Sequence, residues 1–142
     1  MLAKQISIFI ENKSGRLYEV TGVLKDNDIN ISALSIADTT DFGILRIVVD
    51  KPEQAESVLR DNGFAVSITD VIAIRIDHIP GGLNSALKVL QDGEVSVEYM
   101  YAFTGKASNS AFVIVKVNDV EKAMNVLTKS DIELLETSEI YL

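Results

Sequence analysis

The sequence predicts an α+β protein made of two tandem ferredoxin-like units, each ordered β-α-β-β-α-β, with an antiparallel sheet that carries its helices on one face. Three observations lead there. Residues Ile6 to Ile31 read as a strand, a glycine turn, a helix and a second strand, because Ile6, Ile8 and Ile10 alternate while Leu17, Val20, Val23 and Leu24 recur at helical spacing. The stretch Ile74 to Leu83 then overlays Ile8 to Leu17 at a constant offset of 66 (74 − 8), and the match continues at Val23/Val89, Leu24/Leu90 and Ile31/Val97. Later residues keep step at an offset of 68 (118 − 50), through Asp50/Asn118, Ala55/Ala123, Val58/Val126 and Leu59/Leu127, which places two extra residues in the second copy's central hairpin loop. Internal repetition constrains both halves at once and divides the chain into units 1–70 and 71–142.

Each element has its own signal. A strand is predicted over Lys4 to Glu11, after which Ser14 supplies an N-cap for a helix to about Asn27, with Glu19 near the positive end of its dipole. Ile29 to Ala37 is the second strand; its alternation slips at Ala33 and Leu34, which calls for a bulge. Asp38 to Gly43 is turn chemistry, and Ile44 to Val49 is a β-branched strand that returns as a hairpin. Asp50 and Glu53 read as a capping box, with Pro52 in the first turn of a helix that runs through Arg60 and stops at Gly63, and Phe64 to Thr69 is the fourth strand. The second unit repeats the order: a strand at Val71 to Asp77, a helix from Gly81 to Gln91, a hairpin of Val95 to Phe103 with Ala111 to Val117, a helix from Asp119 to Lys129 behind the box Asn118/Glu121, and a strand near Glu133 to Tyr141.

Composition narrows the function. With no cysteine and one histidine, the chain lacks the means for disulfides, thiol chemistry, cysteine-type zinc sites or a histidine metal cluster, and its Asp and Glu residues do not follow a calcium-loop spacing. No cofactor and no metal are expected. The net charge of −8 divides evenly between the halves (7 − 11 and 6 − 10), so neither presents the cations that phosphate backbones or anionic membranes require. There is no apolar run of membrane-spanning length and the N-terminus enters a strand pattern at once, which points to a cytoplasmic protein. Hydrophobic residues make up 47% of a chain built from small units, and that predicts a homodimer in which some of the apolar surface is covered.

Candidate chemistry gathers at the strand-to-helix turns. A turn that enters a helix directly leaves amide N–H groups without intrahelical partners, and glycine removes the side chain that would shield them, so Gly15 and Gly81 mark places to hold a carboxylate. The run Asn12-Lys13-Ser14-Gly15-Arg16-Leu17, with the helix Val20-Val23-Leu24 and then Asp28-Ile29-Asn30-Ile31, resembles the ACT domain, a regulatory module that binds amino acids in many metabolic enzymes. The second copy supplies that family's Pro-Gly form in Asp77-His78-Ile79-Pro80-Gly81-Gly82-Leu83, so the whole chain reads as two tandem copies without a catalytic domain. The resemblance implies a ligand site where two units lie side by side, with the loop after one first strand facing the second strand of its neighbour. Serine-binding members use an asparagine in each place; Asn12 and Asn30 match them here, and His78 and Ser96 stand there in the second copy, which implies two unequal sites with the first favoured.

The candidate ligand-binding residues are therefore Asn12, Ser14, Gly15, Arg16, Leu17 and Asn30 in the first unit, and His78, Ile79, Gly81, Gly82 and Leu83 in the second. Each has a plainer reading as turn, edge or solvated residue, and Tyr99, Tyr101 and Phe103 read as packing. The function implied is a non-catalytic regulatory protein that binds a small amino acid at the interface of two ACT-like domains and modulates amino-acid metabolism through a partner such as a metabolic enzyme. No nucleophile elbow, Walker or dinucleotide glycine pattern is present to support catalysis. The alternatives are an acylphosphatase-like hydrolase using Arg16 and Asn30, and a structural subunit with a vestigial pocket.

Overall fold

A computed structural model describes residues 2–11, 14–38, 42–104 and 110–140. The chain divides into two compact units, Lys4–Asp70 and Val71–Ile140, with Leu2 and Ala3 belonging to the second. The first unit contains β1 (Ala3–Glu11), α1 (Arg16–Asp26), β2 (Ile31–Asp38), β3 (Phe42–Val49), α2 (Pro52–Asp61) and the first part of β4 (Ala65–Asp77). Its strands are ordered β2-β3-β1-β4, with β1 and β2 both antiparallel to β3. The second unit takes the rest of β4, then α3 (Gly82–Asp92), β5 (Val97–Thr104), β6 (Ser110–Val117), α4 (Val120–Lys129), β7 (Glu133–Leu135) and the short α5 (Thr137–Ile140). Here the order is β5-β6-β4-β7, again antiparallel. Each unit is the ferredoxin-like arrangement the repeat predicts.

Alternation in the strands and helical spacing in the helices meet in two cores. Ile6, Ile8, Ile10, Leu45 and Ile47 of one sheet face pack with Val20 and Leu24 of α1 and Ala55 and Leu59 of α2. In the second unit Ile72, Ile74, Val113 and Val115 pack with Ala86 and Leu90 of α3 and Ala123 and Leu127 of α4. The irregularity predicted near Ala33 lies between Ile31 and Ala33, and its counterpart lies between Val97 and Tyr99, 66 residues on (97 − 31). The β2–β3 connection spans three residues (39–41) and the β5–β6 connection five (105–109), which locates the second copy's two extra residues.

Four local expectations are corrected. Phe64 to Thr69 and Val71 to Asp77 form one strand, β4, because nothing between them breaks the chain: Asp70 alone is turn-like, and β-branched neighbours keep it extended. The last strand ends at Leu135, and the chain turns into α5, where the Glu139 N–H donates to the Glu136 carbonyl at 3.0 Å. The N-cap of α1 is Gly15, not Ser14. The capping boxes do not form either: α2 starts after Lys51 without a side-chain cap, and α4 is capped by Asp119, whose side chain accepts from the Lys122 N–H. Asp50 and Asn118 instead accept, at 3.0 and 2.9 Å, from the backbone N–H of Asn30 and Ser96, and each returns its own N–H to the same residue's carbonyl. The carboxylate or amide just outside the helix thus pins the entry of β2 or β5, a contact sixty-odd residues apart in its two copies but local in neither.

All four long helices end alike. Backbone N–H groups of Ile29, Phe64, Val95 and Ile132 reach back to the carbonyls of Leu24, Leu59, Leu90 and Leu127, at 2.9 to 3.0 Å. Closing that ring needs a left-handed residue just before the donor, and Gly63 (φ 88°) fits without strain while Asp28, Glu94 and Asp131 sit at φ 57–59°. Glutamate has the least local compensation of the three. Glu94→Gly is therefore expected to raise stability by about 0.5–1 kcal/mol, the left-handed penalty less the extra entropy of glycine in the unfolded chain, as read by calorimetric unfolding. A lower melting temperature would show that Glu94 contributes through its side chain instead.

Candidate functional site

Both strand-to-helix junctions are built to one geometry. Gly15 has φ 88° and ψ −11°, and Gly81 has φ 88° and ψ −7°; each is the N-cap of its helix, with no side-chain cap. Their carbonyls accept the first helical hydrogen bonds, from the N–H groups of Glu19 and Ser85, at 3.0 Å. A Cβ at either glycine would meet nothing within 4 Å, so the backbone of the turn opens onto free space. Repetition of a left-handed glycine at the head of α1 and α3 is what the chain keeps through both copies.

Other candidates part company here. Asn12 lies outside the described residues, and Ser14 is exposed in the turn. Arg16 donates from Nη1 to Glu19 at 2.9 Å, with Nη2 3.9 Å from Glu11, so its charge is already shared between two carboxylates. That weakens it as a phosphate cradle and with it the hydrolase alternative. Asn30 is exposed, but at the far end of the sheet from Gly15: Ile10, next to the loop, lies opposite Gly43, whereas Ile31 lies opposite Val49 on the same β3 strand. Six residues (49 − 43) at ~3.3 Å each put the two ends about 20 Å apart. No amino acid touches Gly15 and Asn30 of one unit together.

Gly82 has a packing constraint of its own. A Cβ there would overlap the carbonyl oxygen of Asp77, so this glycine is needed for the close approach of α3 to the end of β4. Its N–H donates to the Ile79 carbonyl at 3.0 Å, closing the turn. In the first unit the same position is Arg16 (82 − 66), so that copy leaves room for a side chain.

The remaining second-unit candidates border two hollows beside their loop, which share Ile76, Asp77 and Ile79. One is a groove of about 450 Å³ that Pro80, Gly81 and Gly82 line with Ser85, Asp131 and Glu133. Arg75 closes it, with Nε 3.3 Å from Glu133 and its guanidinium 5.3 Å from the centre of the Phe112 ring. The other is a cleft of about 410 Å³ lined by His78, Ile79 and Leu83 together with Asp77, which lines the groove as well. Its floor is Ile76, Ala102, Ala111 and Val113 from three adjacent strands, brought onto one face by the pairings Ile76 with Ala111 and Ala102 with Val113. Ile79 is 60% exposed and Leu83 37%, so apolar surface is left open around it. The four floor residues escape a motif-based reading; the signal that finds them is the repeat itself, which sets small Ala102 against Ile36 and Ala111 against Gly43. In the first unit Leu17, Leu34 and Ile36 are 40 to 53% exposed.

Among the described residues no cluster of three or more His, Cys, Asp or Glu is placed to hold a metal ion, and no helix is long and apolar enough to cross a membrane. The family described as the ACT domain pair matches residues 1–141. A solved structure, protein BT0572 from Bacteroides thetaiotaomicron, is 48% identical over 99% of this chain and 96% of its own, with a TM-score of 0.94. The regulatory subunits of aspartate kinase from Thermus thermophilus and Thermus flavus share the fold at 14% and 15% identity, with TM-scores of 0.66 and 0.63, over 92% and 91% of this chain and 94% and 93% of theirs. Among curated proteins none matches the sequence.

Proposed function

The chain belongs to the ACT domain family, as a pair of such domains, and from that premise we propose that it is a non-catalytic regulatory protein that binds a small amino acid. The observation that carries the reading is the left-handed glycine at the head of both α1 and α3, which leaves a helix start unshielded where a carboxylate would sit. The ligand lies at an edge shared by two ACT-like domains, and the protein acts on amino-acid metabolism in the cytoplasm through a partner enzyme. Separation of Gly15 from Asn30 supports a shared edge: in two copies of this chain set side by side in opposite directions, the loop of one would meet the β2 entry of the other, which one unit alone does not allow. The homodimer is part of this proposal, and the exposed Leu34 and Ile36 on β2 favour it.

A thermal-shift screen of the full chain against the twenty amino acids tests the reading. A ligand that binds only the folded state stabilises by RT ln(1 + [L]/Kd), about 2.7 kcal/mol at a hundredfold excess over Kd. A clear rise in melting temperature with at least one small amino acid is expected, and no rise with any of the twenty would refute amino-acid binding.

A further inference from the structure

We propose that the cleft of the second unit selects amino acids with a branched or aromatic side chain, and that Ala102 sets the size it admits. This rests on the amino-acid reading above and goes further by assigning the two units different ligands. The cleft has the parts that such a ligand needs. Its floor is aliphatic, its walls are Ile79 and Leu83 with the polar His78 and Asp77, and at about 410 Å³ it lies in the range of small-molecule sites. Leu83 is the second residue of α3, so the positive end of that helix borders the cleft on one side, suited to a carboxylate. Asp77 borders it too, suited to an ammonium. An α-amino acid presents both charges at one end and the side chain at the other, and only an apolar side chain matches the aliphatic floor.

The first unit differs where it matters. Ile36 stands in place of Ala102, while the neighbouring pair Ile10 and Gly43 matches Ile76 and Ala111, so the change that adds bulk is at position 36. A branched side chain therefore covers the corresponding strand edge, which leaves less depth for a ligand there. The size of the residue at position 102 is thus the simplest switch between a unit that takes a small amino acid and one that takes a large apolar one.

Ala102→Ile writes the first unit's residue into the second. Position 102 is an exposed strand position, where isoleucine is favourable, so the fold should hold, and Ala102→Val provides a milder step. Titration calorimetry and thermal shift on the full chain would use leucine, phenylalanine and serine as probes. Wild type should bind leucine or phenylalanine, Ala102→Ile should lose that affinity at least tenfold, Ala102→Val should fall between, and any binding of serine should be unchanged. Serine binding without leucine or phenylalanine binding would overturn the inference and leave the amino-acid reading standing. Undiminished leucine and phenylalanine affinity in folded Ala102→Ile would also overturn it, since the side chain would then lie elsewhere. No response to any amino acid would overturn both.

Discussion

Gly82→Ala is expected to lower stability by about 3 kcal/mol, at the upper end of what overpacking normally costs, because the added methyl would collide with a backbone carbonyl and not with a side chain that could rotate away. The carbonyl is that of Asp77, the last residue of β4, and the N–H of Gly82 is tied to the Ile79 carbonyl at 3.0 Å. Strand end, turn and helix start are held together there, so relief requires α3 to move off the sheet that Ala86 and Leu90 pack against. Domains of this size are stable by only ~5–15 kcal/mol, so the loss is a large share of the total. A drop in melting temperature of roughly 6–12 °C should follow. Arg16→Ala is the matched control, since it occupies the same place in the first unit and already carries a Cβ; losing its exposed pair with Glu19 should cost under about 1 kcal/mol. Equal, small effects of the two substitutions in calorimetric unfolding would show that α3 adjusts freely, and the packing role assigned to Gly82 would be wrong.

The contrast between Gly82 and Gly81 shows what the sequence discloses and where it stops. Two adjacent glycines in a strand-to-helix turn look alike as letters, yet one is required by its φ of 88° and the other by a neighbour far along neither chain nor motif. Repetition revealed the fold because Ile8/Ile74, Leu24/Leu90 and Leu59/Leu127 are core positions, and core positions follow a periodicity that can be read locally. Register and end-to-end distance are not local. Asn30 and Gly15 are fifteen residues apart in sequence (30 − 15), but α1 carries the chain back down the sheet, so they finish at opposite ends. Asp50 and Asn118 fit a capping pattern and yet serve β2 and β5, because a backbone N–H across the loop competes for the same oxygen. The apolar cleft escapes a local motif for the same reason: Ala102, Ala111 and Ile76 come from three strands and meet only through pairing.

Substitution of Gly15 should produce the largest loss of function. Its Cβ position is empty to 4 Å, so no clash accompanies a new side chain and the only intrinsic cost is the left-handed backbone. That cost is ~1–2 kcal/mol for alanine and still more for valine, whose β-branch is poorly tolerated at positive φ, so a binding defect in either would be clouded by instability. Asparagine enters this region readily, which makes Gly15→Asn the cleaner probe. If the ligand carboxylate rests against the start of α1, the asparagine side chain occupies the approach to those amides, and affinity for a small amino acid should fall at least tenfold, about 1.4 kcal/mol, with melting temperature nearly unchanged. Gly81→Asn makes the same change at the same geometry in the other unit and should leave binding of the small amino acid alone. Titration calorimetry on both variants, with folding confirmed by circular dichroism, separates the outcomes. Full affinity in Gly15→Asn would mean that the left-handed glycine is there to turn the chain and that the carboxylate, if bound, is held somewhere else.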